Sequence, residues 1–163
     1  MTRVAGADAT HECAMRAICQ QPWIHLALRA EPNFDLPFDS RFPLRDKPMS
    51  LLEISQALAE AERLPEFAFL SVCHGSGGTE EHEAMHLPHA LHFMGFQSVV
   101  GTMWAVDEEV SRRIAAAFYH SLVVESKGTL NCANTPKALS QAVKMVEEGI
   151  PLEQSIAFIH VGA

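Results

Sequence analysis

A short apolar run that ends in a glycine-rich stretch constrains this chain more than any other feature of its sequence. Residues 67–72 read Phe-Ala-Phe-Leu-Ser-Val, Cys73 follows them, and three glycines lie within residues 75–78. A run of this length bounded by a turn is typical of a buried strand. Open α/β sheets carry their chemistry at the carboxyl ends of such strands. The strand end therefore makes Cys73 a candidate functional residue, although a free cysteine is also often a small buried hydrophobe.

Further apolar runs and helical patterns predict the class of fold. Strands are expected over residues 23–28, 97–104 and 156–161, and helices over residues 8–20, 50–63, 84–94, 107–124 and 136–149. Residues 31–47 are expected to form a loop with a small hairpin, in which Phe34, Leu36, Phe38, Phe42 and Leu44 cover the edge of the core. Strands that alternate with helices form a mostly parallel sheet flanked by helices. The whole chain, residues 1–163, is therefore predicted to be a single α/β domain.

Composition excludes several classes of function. The net charge of −8 argues against binding to nucleic acid, because a phosphate backbone requires a basic face. We expect no contact with a membrane, since no apolar stretch reaches about 18 residues and the first ten residues hold no apolar signal core. The four cysteines are dispersed without a C-x-x-C pair, which favours a reducing, cytoplasmic setting. No pattern in the chain requires a cofactor.

Six segments, in a fixed order, resemble the CHAT family, a caspase- and separase-like group of cysteine-peptidase domains. These segments are residues 22–27, 67–73, 83–87, 95–104, 118–119 and 151–162. The resemblance implies a caspase-like three-layer α/β/α sandwich, with Cys73 as the catalytic nucleophile. It also implies that the chain corresponds to the C-terminal part of a domain, without the strands that form one side of the family's sheet.

The sequence departs from the family at the catalytic base. The family's first strand of this region continues into the catalytic histidine and then glycine, and here those positions are Arg29 and Ala30. A guanidinium has no acceptor and keeps its proton, so Arg29 cannot act as a base, although a nearby cation favours a thiolate. Loss of general acid–base help costs on the order of 10²–10⁴ in rate. We therefore expect a pseudo-peptidase whose Cys73 reacts with alkylating agents but does not turn over peptides.

Two other functions stay open for the same thiol and sheet. An active cysteine peptidase would need another base, such as His74 or His25, but His25 is expected to be a hydrogen-bonded core residue about 13 Å before Arg29 along the strand. The domain could instead act as an interaction module for a protein or peptide partner. An open sheet edge invites pairing with another chain, so association through that edge is expected.

A zinc-peptidase motif provides a third alternative. Residues 82–86 read His-Glu-Ala-Met-His, the H-E-x-x-H pattern in which His82 and His86 would bind zinc and Glu83 would act as base. His92 has the spacing of a third ligand. Pro88 argues against one straight helix through this motif, because proline lacks the N–H and clashes with the preceding turn. Incidental metal binding by these histidines is favoured over zinc catalysis.

Overall fold

The computed structural model describes residues 4–31, 33, 35–73, 86–126 and 130–162, apart from the side chains of residues 72, 73 and 86. The helices are α1 (His11–Gln20), α2 (Leu51–Ala59), α3 (His86–Phe93), α4 (Glu108–Glu125), α5 (Thr135–Val146) and α6 (Leu152–Ser155). The strands are β1 (Trp23–Arg29), β2 (Arg41–Phe42), β3 (Met49–Ser50), β4 (Phe67–Cys73), β5 (Ser98–Thr102) and β6 (Phe158–Gly162). No helix in these ranges is long and apolar enough to cross a membrane.

In the described part of the chain, four strands form the central sheet in the order β1-β4-β5-β6. The pairs β1–β4 and β4–β5 are parallel, while β6 runs antiparallel to β5 at the far edge. The short strands β2 and β3 form a small hairpin, whose second strand lies just beyond the residues 31–47 in which a hairpin was expected. The sheet is therefore mostly parallel, and its central strand β4 is the apolar run that ends at Cys73.

Alternation along the strands divides the core into two parts, one on each face of the sheet. On one face, Ala68, Leu70 and Val99 pack with buried residues of α1, α2 and α3. On the other face, Phe67, Phe69 and Val100 pack with α4 and α5. Successive strand residues point to opposite faces, so an apolar run in the sequence requires cover on both sides. The result is a three-layer α/β/α sandwich of the caspase-like kind, which confirms the predicted fold class.

Local hydrogen bonds explain where helices begin. The Ser50 hydroxyl accepts a bond from the backbone N–H of Glu53, and the Glu53 carboxylate accepts one from the backbone N–H of Ser50, which completes a capping box. Asp107 caps α4 by accepting from the Glu109 backbone N–H at 2.8 Å. The indole N–H of Trp104 donates to the Glu153 carbonyl at 3.0 Å and so fastens the loop after β5 to α6. These contacts define the starts of α2 and α4 and hold the loop after β5 in place.

The expected apolar cover of residues 31–47 is correct only in part. Phe42 is fully buried and Leu44 packs against the core, whereas Leu36 is 59% exposed and Phe38 is 37% exposed. Phe34 lies outside the described residues. Phe38 lies within a 3-10 turn over Pro37–Asp39, and Leu36 comes directly before that turn. Both side chains are exposed there, so the prediction that they cover the core edge was wrong.

Candidate functional site

Two parallel strands bring together Cys73, the predicted nucleophile, and Arg29, which is predicted to replace the family's histidine. Both residues lie at the carboxyl ends of their strands. The register of β1 and β4 pairs Trp23 with Phe67 at one end and Arg29 with Cys73 at the other. Neighbouring strands lie about 4.8 Å apart, so the two backbone positions are adjacent. The two residues singled out from the sequence are therefore neighbours in the sheet. The reactivity of Cys73 stays a prediction, because its side chain is not among the described parts of the structure.

Arg29 occupies an open position at this edge. Its side chain is exposed, and no described residue forms a hydrogen bond or ion pair with it. Ala30, the next residue, is only 5% exposed. The C-terminal end of β1 thus presents an exposed guanidinium followed by a buried alanine.

His25 lies on β1 but is engaged with other side chains. Its Nε2 lies 2.9 Å from the Ser71 hydroxyl, and its Nδ1 lies 3.2 Å from the Tyr119 hydroxyl. Its ring also packs against the rings of Phe69 and Tyr119, with centroids 4.9 and 5.7 Å away. The expectation of a hydrogen-bonded histidine is confirmed, and its environment is half-buried.

Burial sets the protonation of this group. Burial lowers the pKa of His25, because the charged imidazolium loses its hydration. Burial raises the pKa of Tyr119, because the charged phenolate would lose its hydration in the same way. Both side chains are therefore neutral near pH 7. Sequence reasoning missed Ser71 and Tyr119, and the available signal was the two-residue period that gives His25, Phe69 and Ser71 a common face.

A second histidine cluster lies at the opposite side of the sheet. His160 Nε2 lies 2.9 Å from the Ser98 hydroxyl and 3.1 Å from the Thr135 hydroxyl, and both hydroxyls are fully buried. Thr135 in turn donates to the Cys132 carbonyl at 2.7 Å. Burial lowers the pKa of His160, followed by a smaller effect of His92. This cluster joins β5, β6 and α5, and the sequence analysis did not predict it.

The zinc-motif residues are only partly within the described chain. His74, His82 and Glu83 fall outside it, and His86 is the first residue of α3. Pro88 is the third residue of α3, where a missing N–H costs no helical bond. His92 donates its Nδ1–H to the Phe96 carbonyl at 2.8 Å. Across the described residues, no group of three or more possible ligands could hold a metal ion.

Comparison with known proteins identifies the family. A search of curated proteins gave no match. The family model described as the CHAT domain matches residues 3–149, which is most of the chain. The match covers α1 to α5 and includes the β1–β4 pair that carries Arg29 and Cys73. This chain belongs to the CHAT domain family and is a caspase-like, peptidase-related domain.

Proposed function

We propose that this CHAT domain is a pseudo-peptidase in which Cys73 is a reactive thiol without a catalytic base. The observation that supports this most is the β1–β4 register, which pairs Cys73 with Arg29. A thiolate needs a partner that can protonate the leaving amine, and a guanidinium does not release its proton. Arg29 instead favours the thiolate electrostatically. Cys73 should therefore react with alkylating agents without hydrolysing peptides.

The engagement of His25 supports the same proposal. It stands four residues before Arg29 on β1, a span of about 13 Å. Its two ring nitrogens already face Ser71 and Tyr119. It is therefore not a substitute base for Cys73 in this arrangement.

Free thiols support a cytoplasmic setting for the domain. Cys13, Cys19 and Cys132 are unpaired and partly exposed. Exposed thiols persist in reducing compartments and form disulfides in oxidising ones.

We further propose that the domain acts by binding a protein or peptide strand at β1. In the described part of the chain, β1 is an edge strand whose outer side pairs with no other strand. It is seven residues long and its one permanently charged residue is Arg29. Natural edges are commonly protected by charges, prolines or short length, so a long edge with one terminal charge is suited to strand addition.

A restoration experiment tests the pseudo-peptidase proposal. The double variant Arg29→His with Ala30→Gly should gain hydrolysis of a mixed fluorogenic peptide library by on the order of 10²–10⁴ over the wild type. Adding Cys73→Ala should abolish that gain. Wild-type hydrolysis that depends on Cys73 at the restored rate would instead show an active cysteine peptidase. Hydrolysis that survives Cys73→Ala and disappears with a zinc chelator would indicate the zinc peptidase through His82, Glu83 and His86.

Alkylation provides the complementary measurement. Iodoacetamide labelling of Cys73, resolved by peptide mass spectrometry, should slow about threefold in Arg29→Ala, which is the effect of one solvent-exposed charge about 6 Å away. Arg29→Lys is the matched control and should keep the wild-type rate, because it keeps the cation. Equal rates in all three proteins would refute the role of Arg29.

Association through β1 is tested by light scattering and hydrogen exchange. Self-association should increase with concentration and should protect alternate backbone amides of β1, because only those pointing outward form new bonds. The amides of β6, the other edge, are the internal control. A strictly monomeric species at all concentrations, with no protection of β1 by added extended peptides, would contradict this proposal.

A further inference from the structure

We propose that Ser71, held against His25 and Tyr119, is a nucleophilic serine that accepts the acyl group of small esters carrying a negative charge. The Ser71 hydroxyl is a different nucleophile from the Cys73 thiol, which follows two residues later on β4, and its chemistry goes beyond the pseudo-peptidase function. It rests on three side chains from β1, β4 and α4 that the fold brings together across 46 and 94 residues of sequence.

The geometry is that of a nucleophile, a base and a group that orients the base. The Ser71 hydroxyl lies 2.9 Å from His25 Nε2, and the Tyr119 hydroxyl lies 3.2 Å from His25 Nδ1. When Nδ1–H donates to the Tyr119 oxygen, the Nε2 lone pair accepts the Ser71 proton, which is the arrangement that activates a serine. Neither hydroxyl has another hydrogen-bond partner among the described residues, so nothing there competes with this arrangement.

Access from solvent distinguishes this serine from an ordinary buried one. Ser71 is partly exposed, and its register partner on β1 is Ala27, an exposed residue with a small side chain. The chain contains a natural contrast at Ser98, which lies at the same 2.9 Å from His160 Nε2 but is 0% exposed. Among the described residues a serine–histidine contact thus occurs twice, and only one of the two serines, Ser71, is partly exposed.

The charge beside the site indicates the class of ester. Arg29 lies two residues after Ala27 on β1, about 6.6 Å further along the same face. It is exposed and has no partner among the described residues. A guanidinium in this state binds carboxylate or phosphate oxygens, so an acyl ester with an anionic group is favoured over a neutral one.

Acylation requires only the side chains of Ser71 and His25 and the ester itself. The Ser71 oxygen forms a bond to the ester carbonyl carbon while its proton passes to His25 Nε2. The bond from that carbon to the leaving oxygen breaks, and the alkoxide or phenolate departs with the electron pair. The His25 proton can follow the leaving oxygen, which restores the neutral imidazole that burial favours.

The test uses the full chain with Cys73→Ala, which removes thiol labelling. A fluorophosphonate probe should form an adduct at Ser71 and none at Ser98, as located by peptide mass spectrometry. His25→Gln should lower the Ser71 labelling rate by on the order of 10²–10⁴. Tyr119→Phe should lower it about twofold to tenfold, the value of one hydrogen bond. Equal labelling of Ser71 and Ser98, or labelling that is unchanged by His25→Gln, would overturn the proposal.

Two further variants separate reactivity from a structural role. Ala27→Leu should lower labelling by covering Ser71, while its thermal unfolding stays at the wild-type temperature.

Acylation by 4-nitrophenyl acetate and by the 4-nitrophenyl half-ester of succinic acid reports the charge preference. Arg29→Ala should slow the anionic ester about threefold and leave the neutral ester unchanged. Equal effects on both esters would refute the substrate class, and full labelling of Ala27→Leu would refute the route of access.

Discussion

Gly101 sets how closely α3 can approach the sheet, and replacing it provides a sharp test of the packing. A Cβ added at this position would lie 2.6 Å from Pro88 Cγ and 3.5 Å from Leu70 Cβ. Ordinary carbon contacts are about 3.5–4.0 Å, so α3 or β5 would have to move by about 1 Å.

The magnitude follows from two opposing effects. Inserting a methyl group into a well-packed core costs about 1–3 kcal/mol. Replacing glycine within a strand recovers about 0.5–1 kcal/mol of conformational entropy. Gly101→Ala should therefore lower the free energy of unfolding by roughly 1–2 kcal/mol, which corresponds to roughly 2–8 °C in Tm for a domain of this size.

A double-mutant cycle identifies the contact responsible. Pro88→Ala removes the Cγ atom that the new methyl group meets, so Gly101→Ala in that background should be neutral or stabilising by up to about 1 kcal/mol. Thermal and urea unfolding, followed by circular dichroism, measure all four proteins. The reasoning is refuted if Gly101→Ala is as stable as the wild type, or if its penalty is the same with and without Pro88.

Other predictions concern burial, capping and pH. Phe118→Ala should destabilise the domain by about 3–5 kcal/mol in urea unfolding, because this ring is fully buried, whereas Phe93→Ala, 82% exposed, should change stability by less than about 0.5 kcal/mol. Asp107→Ala should cost about 0.5–2 kcal/mol through loss of the α4 cap, while Asp107→Asn keeps the acceptor and should cost much less. Burial lowers the folded-state pKa of His25 and His160 below the ordinary value of 6.5, so the unfolded chain binds more protons between the two values. The contribution of these two histidines to the free energy of unfolding should consequently be constant above pH 6.5 and decrease as the pH falls below it. His160→Gln should reduce the slope of the free energy of unfolding against pH. A stability that rises on acidification would contradict the lowered pKa values.

Strands and caps were predictable because their signals are local. The run that forms β4 appears where expected, and the capping box that begins α2 depends only on two residues three positions apart. Helix ends were less accurate: α1 begins at His11 after its Thr10 cap, not at Asp8, and α2 ends at Ala59. Ends depend on which of several possible caps and turns the rest of the fold selects.

Exposure of side chains in the loops was not predictable by the same means. Leu36 and Phe38 are apolar but exposed, because the orientation of the turn that carries them is set by its packing against α2 rather than by hydropathy. The candidate site shows the same division. Cys73 and Arg29 were found from the strand pattern and the family resemblance, whereas Ser71 and Tyr119 were not found.

The order of residues by itself determined the strands, the thiol at the end of one of them and the cation at the end of another. Only the tertiary structure decided which strand ends are adjacent, and that His25 meets Ser71 across the sheet and Tyr119 from α4. The physical reason is that a hydrogen bond between distant residues depends on strand register and helix packing to within about an ångström. No local preference in the chain encodes a distance of that kind.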